Sequence, residues 1–241
     1  MNILMIQNED VVGPGEYLAW ARRRGHAVTE LRCREAGGCP MPETLPDMLI
    51  VLGGPQCPAT TRAECPFFDA EAEKALIRRC AEEKKAVIGV CLGAQLLGEA
   101  MGAPYGHSPE REMGPVLLTL TEEGRRDPLL RAFPDVFPAG QWHGDMPGLT
   151  ETASVLAASE GCPRQIVRYA PLVYGLQCHM EFTHAIIENL LKNRAEPLPE
   201  GRFIQSESEL LAYDYTEMNA RLSAFLDALA EKYKESDYLS K

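Results

Sequence analysis

The run Ala86-Val-Ile-Gly-Val-Cys91-Leu-Gly-Ala-Gln-Leu-Leu-Gly-Glu-Ala-Met101 leaves few folds open. Ala86, Val87, Ile88 and Val90, broken only by Gly89, suit a strand covered on both faces. Leu92, Leu96, Leu97, Ala100 and Met101 then recur at helical spacing, so a strand turns directly into a helix at Cys91. Gly89 and Gly93 flank the cysteine at the second position on either side. That is the cysteine counterpart of the elbow that holds a nucleophile on a tight strand-to-helix turn above an α/β sheet. Glycine at those places lets backbone approach backbone without a Cβ clash. The free N–H groups of the helix start stabilise negative charge on the sulfur, and can also stabilise an oxyanion on a substrate carbonyl. The plainer alternative is an ordinary buried cysteine, which behaves as a small hydrophobe.

The 241 residues suffice for one large α/β domain or two small ones. With 45% hydrophobic and 24% charged residues the composition is that of a globular protein. A net charge of -11 argues against a nucleic-acid surface, which wants a basic face. No segment reads as a membrane span or a secretory signal, and the start, Asn2 to Gln7, reads as a strand. Eight cysteines are scattered without a CxxC pair or a zinc-type Cys/His cluster. Reduced thiols, a cytoplasmic location and no metal are therefore expected.

Strands are expected at Asn2 to Gln7, Ala27 to Arg32 and Met48 to Leu52, the last ending in Gly53-Gly54-Pro55. Helices are expected from Gly15 to Arg24 and, capped by Asp69, to about Glu83. This alternation implies a parallel sheet with right-handed crossovers. A polar, proline-bearing loop is expected over Gln56 to Pro66, above the sheet edge. After Gly102 short strands follow at 116–120, 136–142, 153–157, 165–169 and 172–177, with a short helical piece at 127–132, suggesting an antiparallel or mixed extension. Thr183 caps a helix to about Asn193. Pro197 and Pro199 mark a break; Ser206 and Glu209 then form a capping box ahead of an apolar stripe through Leu211, Tyr215, Met218, Leu222, Phe225 and Leu229. The expected organisation is a main domain over 1–195 and a helical extension over 196–241 packed on it, a homodimer face being the alternative role of that stripe.

A cysteine nucleophile needs a base, and the base an orienting group. In Val173-Tyr-Gly-Leu-Gln-Cys-His179-Met-Glu181 an apolar strand ends just before His179, and Glu181 is placed to reach the far ring nitrogen and stabilise imidazolium. Of the other histidines, His26 is expected in solvent, His107 in a glycine- and proline-rich loop and His184 on a helix surface. Gly53-Gly54 reads either as a turn or as a source of oxyanion-binding N–H groups beside that of Leu92. Gln141-Trp-His143-Gly-Asp145 is read as a polar loop that binds the polar end of a small substrate, or as a simple turn.

Taken in order, Gly53-Gly54-Pro55, Gly89-Val-Cys91-Leu-Gly93-Ala-Gln95, Gln141-Trp-His143-Gly-Asp145 and His179-Met-Glu181 resemble class I glutamine amidotransferases. The likeness is to the glutaminase domain of GMP synthase and its free-standing relatives, and covers about residues 1–195. It implies an open, doubly wound, mostly parallel α/β sheet of flavodoxin-like type with a small antiparallel extension. It also implies that Cys91 attacks the glutamine side-chain amide, His179 relays protons, Glu181 orients His179, and the N–H groups of Gly54 and Leu92 hold the oxyanion. Gln95 and the Gly144-Asp145 turn match positions that hold the α-amino and α-carboxylate groups, with Gly53 and His143 in the same substrate-binding set. No cofactor is implied. Two departures stand out: Met180 replaces the family's usual proline, and only about forty-five residues follow the likeness, with no acceptor domain. The readings are therefore a glutaminase acting with a separate synthetase subunit or alone, a γ-glutamyl peptidase using the same triad, or a binding homologue without turnover, against which an intact triad speaks.

Overall fold

The computed structural model describes residues 1–194 and 196–238; the expected domain end at 195 and the tail over 239–241 lie outside the described residues. The first half runs β1 (Asn2–Gln7), α1 (Gly15–Arg23), β2 (Ala27–Arg32), α2 (Cys33–Ala36), β3 (Met48–Val51), α3 (Ala70–Glu82), β4 (Ala86–Val90) and α4 (Leu92–Ala100). Then come β5 (Gly106–Met113), β6 (Val116–Leu120), α5 (Glu122–Arg126), β7 (Val136–Ala139), β8 (Trp142–Met146), β9 (Ser154–Ala158), β10 (Ile166–Ala170) and β11 (Val173–Leu176). The chain closes with α6 (His184–Asn193), β12 (Phe203–Ile204), α7 (Glu207–Ala212) and α8 (Thr216–Tyr238).

One large sheet has the order β2-β1-β3-β4-β11-β10-β9-β6-β7. The run from β2 through β11 is parallel, and each pairing from β11 to β7 is antiparallel. Alternation along the central strands feeds two separate cores: Met48, Ile50, Ala86, Ile88 and Val90 face one, Leu49, Val51 and Val87 the other. Helices α1, α6 and α8 cover the first face, α3 and α4 the second. A sheet buried on both sides in this way explains why its strands read as unbroken apolar runs.

Three caps fall where the sequence puts them. Asp69 accepts from the Ala72 N–H, Thr183 from that of Ile186, and Ser206 and Glu209 form the capping box. Four expectations need correction. The strand expected over 136–142 is two strands, and the stretch from Trp142 to Asp145 is not a loop but β8, which pairs with β5 in a second, three-stranded sheet. His107 accordingly lies on β5, not in a loop; that strand is too polar to show a period of two. The apolar stripe expected from Leu211 onward belongs to two helices, because Asp214 caps a fresh start through the Thr216 N–H and leaves Leu211 exposed.

Helix α8 is fastened along its length. Leu222, Phe225, Leu226 and Leu229 are buried, and Phe225 meets Tyr174 edge-on at 5.4 Å. Asp227 accepts from Trp20 Nε1 at 2.8 Å and from Arg24 Nη2 at 2.6 Å, while Tyr233 links Lys85 to Asp47. The apolar contacts dominate, since half-exposed ion pairs contribute little. Replacing Phe225 by alanine is expected to lower unfolding free energy by about 3–5 kcal/mol in urea titration, as a buried aromatic truncation does.

Candidate active site

Cys91 sits between β4 and α4 with φ 52° and ψ −109°, a left-handed backbone that non-glycine residues adopt only when their surroundings force it. The forcing contacts are visible. A Cβ on Gly89 would collide with the Gly93 carbonyl, and one on Gly93 with the Val51 carbonyl of β3. The Cys91 N–H is tied to Leu176 of β11 at 2.8 Å, and its carbonyl accepts from Ala94 and Gln95 at 3.0 and 3.1 Å. The next N–H groups, of Leu92 and Gly93, precede any carbonyl four residues back within the helix.

His179 follows β11 and is locked into place by paired backbone hydrogen bonds with Gly140, at 2.8 and 3.1 Å. Its ring stacks on Phe182, centroids 4.5 Å apart, and Gly53 brings its Cα against both His179 and Cys91: a Cβ there would lie 3.3 Å from the Cε1 of one and the Cβ of the other. Nδ1 lies 2.6 Å from Glu181 Oε1, both groups buried. Burial alone would lower the affinity of this imidazole for a proton. The Glu181 charge, together with the charge and hydrogen-bonding reach of the nearby Cys91 thiol, outweighs it and raises the pKa well above the ordinary histidine value. On the other side of the ring Nε2 is buried and completes no hydrogen bond among the described residues.

These residues line a cavity of about 960 Å³. Gly54, Cys91, Leu92, Gln95, His143, Gly144, Asp145 and His179 all reach it, whereas Gly53 lies behind, packed on the cysteine and histidine. Gln95 donates to Gln177 at 3.2 Å. His143 Nε2 is engaged by Gln141 Oε1 at 2.9 Å and lies 3.4 Å from Glu112, while Nδ1 is buried and has no partner among the described residues. Asp145 is 2.7 Å from the His107 ring. Sequence reasoning missed Ser108 and Arg111, which reach the cavity because the β5–β8 register slips between His107 and Glu112. It also missed Val11, Val12 and Leu190 as cavity-lining residues; valines in a loop after β1 carry no periodic signal. His26, expected in solvent, is half-buried edge-on to Trp20.

A second group of the same residue types, Glu112, His143 and Cys162, is buried beside the cavity with its ligand-type atoms within 4.8 Å of one another. His143 Nε2 and Glu112 Oε2 lie 3.4 Å apart, a spacing that two zinc ligands can have. Glu112 is instead held by Ser159 at 2.7 Å and Gln165 at 2.6 Å, the pattern of a structural polar network.

The parallel sheet with helices on both faces, carrying a cysteine at a strand-to-helix elbow beside an imidazole and a carboxylate, has a fold shared with known proteins. The family model described as glutamine amidotransferase class-I matches residues 21–196. YfeJ, a glutamine amidotransferase-like protein of Salmonella typhimurium, is 47% identical over 232 residues, covering 95% of this chain and 97% of that one. The glutamine-hydrolyzing GMP synthase subunit of Pyrococcus abyssi is 28% identical over 154 residues, 63% of this chain and 75% of that one. The crystal structure of SMU.1228c superposes with a TM-score of 0.91 at 43% identity, covering 95% of this chain and 100% of that one. The chain belongs to the class I glutamine amidotransferase family.

Beneath the Gly53-Gly54 segment lies a buried carboxyl that the sequence pattern does not single out. Glu73 of α3 accepts from Asn8 Nδ2 at 3.0 Å, and Asn8 in turn packs under Gly54. Burial, reinforced by Asp69 and only partly opposed by the Asn8 hydrogen bond, raises its pKa to about 8. The folded state thus keeps a proton that the unfolded chain releases from about pH 4.5 upward, and stability falls as pH rises toward 8. Glu73→Gln removes that linkage. Over this window the variant is expected to gain on the parent by up to about 1.4 kcal/mol per pH unit, measured by denaturant unfolding at several pH values.

Proposed function

We propose that this protein hydrolyses the side-chain amide of glutamine, releasing ammonia through a γ-glutamyl thioester on Cys91. The observation that carries the reading is the His179 ring, hydrogen-bonded to Glu181 on one side and turned with an unpartnered nitrogen toward Cys91 on the other. In this scheme the Cys91 proton passes to His179 Nε2 and the sulfur attacks the amide carbon. The N–H groups of Gly54 and Leu92 stabilise the oxyanion that forms. The carbon–nitrogen bond then breaks as the imidazolium gives its proton to the departing ammonia, and Glu181 keeps that imidazolium favourable in a buried site. Water, deprotonated by His179, opens the thioester to glutamate and returns the thiol. Gln95, Gly144 and Asp145 bind the α-amino and α-carboxylate ends, and His143, held by Gln141, shapes that end of the cavity.

The size of the cavity favours a second reading beside the first. About 960 Å³ lies at the top of the range for pockets that hold drug-sized ligands and exceeds what one amino acid fills. A γ-glutamyl amide or peptide, its amine side resting on Val11, Val12 and Leu190, suits that space and would be cleaved by the same steps. A separate synthetase subunit receiving the ammonia is the partner that the GMP synthase relatives suggest. Eight unpaired cysteines support a reducing, cytoplasmic setting, and no helix among the described residues is long and apolar enough to cross a membrane.

A diazo-ketone analogue of glutamine should label Cys91, detected by peptide mass spectrometry, and fail to label Cys91→Ser. Folded parent protein with neither adduct nor ammonia release would overturn the reading. Rates with γ-glutamyl dipeptides against glutamine decide between the two substrates. Glu181→Gln should lower kcat by on the order of 10²–10⁴-fold. Because Glu181 raises the His179 pKa, the imidazolium survives to higher pH in the parent; the alkaline limb of kcat/KM should lie above the ordinary histidine range and move down in Glu181→Gln.

A further inference from the structure

We infer that Asn219, on α8, is a positioning residue that holds the His179–Glu181 pair in register with Cys91; its kinetic part rests on the hydrolytic reading above. The backbone from His179 to Phe182 belongs to no helix and, beyond the single bridge to Gly140, to no strand. Yet its four successive carbonyls each accept a hydrogen bond from a distant part of the chain. That of His179 takes the Gly140 N–H at 3.1 Å, and that of Glu181 takes the Glu16 N–H at the start of α1 at 3.3 Å. The carbonyls of Met180 and Phe182 both take the Asn219 carboxamide, at 2.8 and 2.9 Å.

One planar amide therefore spans the residue that orients the imidazole, tying down the backbone immediately before and after Glu181. Its neighbour Met218 is buried and places its sulfur 3.3 Å from the Gly140 N–H, so the same turn of α8 touches both anchors of the segment. Met180 imposes no limit on its own backbone of the kind a proline ring would, and the Asn219 clamp supplies one from outside. A polar side chain with no reach to the cavity is thereby given control over a distance on which proton transfer depends.

The charges that bear on the imidazole come from every side of this packing. Glu181 and Cys91 face His179 directly, and Tyr17 of α1 and Cys178 adjoin Glu181. Loosening the clamp lets Glu181 move off Nδ1 and leaves burial, which disfavours imidazolium, less opposed.

The test replaces Asn219 by leucine, which keeps bulk and helix propensity but has no donor, and by serine, which keeps one donor. Ser223→Ala is the control: Ser223 binds Glu16 from α8 at 2.6 Å and does not touch the segment. In Asn219→Leu, kcat should fall about tenfold with KM changed less than about twofold, as expected when geometry rather than binding is lost. The NMR titration midpoint of the His179 ring should drop by about one pH unit, with Asn219→Ser intermediate. Ser223→Ala should lower the melting temperature without moving that midpoint. An unchanged midpoint in folded Asn219→Leu, or an equal shift in Ser223→Ala, overturns the proposal. The titration needs no substrate, so a parent protein inert toward glutamine would sink the hydrolytic reading while the midpoint alone still judged the clamp.

Discussion

The packing of Gly89 against Gly93, and of Gly93 against the Val51 carbonyl, is the constraint from which the rest of the site follows. Those contacts have no room for a methyl group, and they let α4 start directly above the strand that leads into it. The chain can turn that tightly only if the residue between accepts a left-handed backbone, and Cys91 does. Strain of this kind costs of order 1–3 kcal/mol and persists only where the surroundings over-determine it. Here β3 and β11 do so, one by direct contact and the other through the Leu176 carbonyl. The outcome is a thiol at the base of a cavity, beside the two N–H groups that a helix start leaves without internal partners.

Burying an imidazole and a carboxylate together is the second constraint, and it opposes the first impulse of a folded core. Each charge taken alone would be expensive in that environment, so each must be matched by geometry. The His179–Glu181 contact supplies the match between side chains, but the peptide carrying them crosses from the end of β11 to the start of α6 without a ladder of its own. Its carbonyls are satisfied by α1, by Gly140 and by α8, three elements widely separated in sequence. Stability of the C-terminal helix and geometry of the candidate site are therefore coupled through a few polar contacts, while the helix itself is retained by apolar burial.

Much of the parallel half was legible because a doubly covered sheet writes itself as apolar runs and its turns as glycine and proline. Cys91 follows directly on β4, and His179 and Glu181 lie three and five residues beyond the end of β11, so the positions of the candidate residues were legible from the same runs. What escaped reading obeys other rules. The strands β5 and β8 are polar and pair around a register slip, so neither shows alternation, and His107, Ser108 and Arg111 were lost with them. Glu73 lies on the inward face of α3 among apolar neighbours, where only its buried partner Asn8 explains it. Asn219 left one faint signal, a carboxamide between the inward positions Tyr215, Met218 and Leu222 of an otherwise apolar helix face. No local pattern could have said which carbonyls it would meet.

The two Cys, His and Glu groups of this protein make the general point that residue type alone does not confer chemistry. Glu112 has its oxygens taken by Ser159 and Gln165, His143 is engaged by Gln141, and burial pushes the Cys162 thiol up toward the inert form. Such a network uses its hydrogen-bonding capacity internally and fixes the shape of the β5–β8 wall. In the other group Cys91 opens on the cavity and His179 Nε2 has no hydrogen-bond partner among the described residues, although Nδ1 is bound to Glu181. In the proposed scheme a reacting carbonyl is served by this group and not by the one around Glu112, because Cys91 borders the cavity beside a histidine oriented by a carboxylate, whereas Cys162 is fully buried and does not line it.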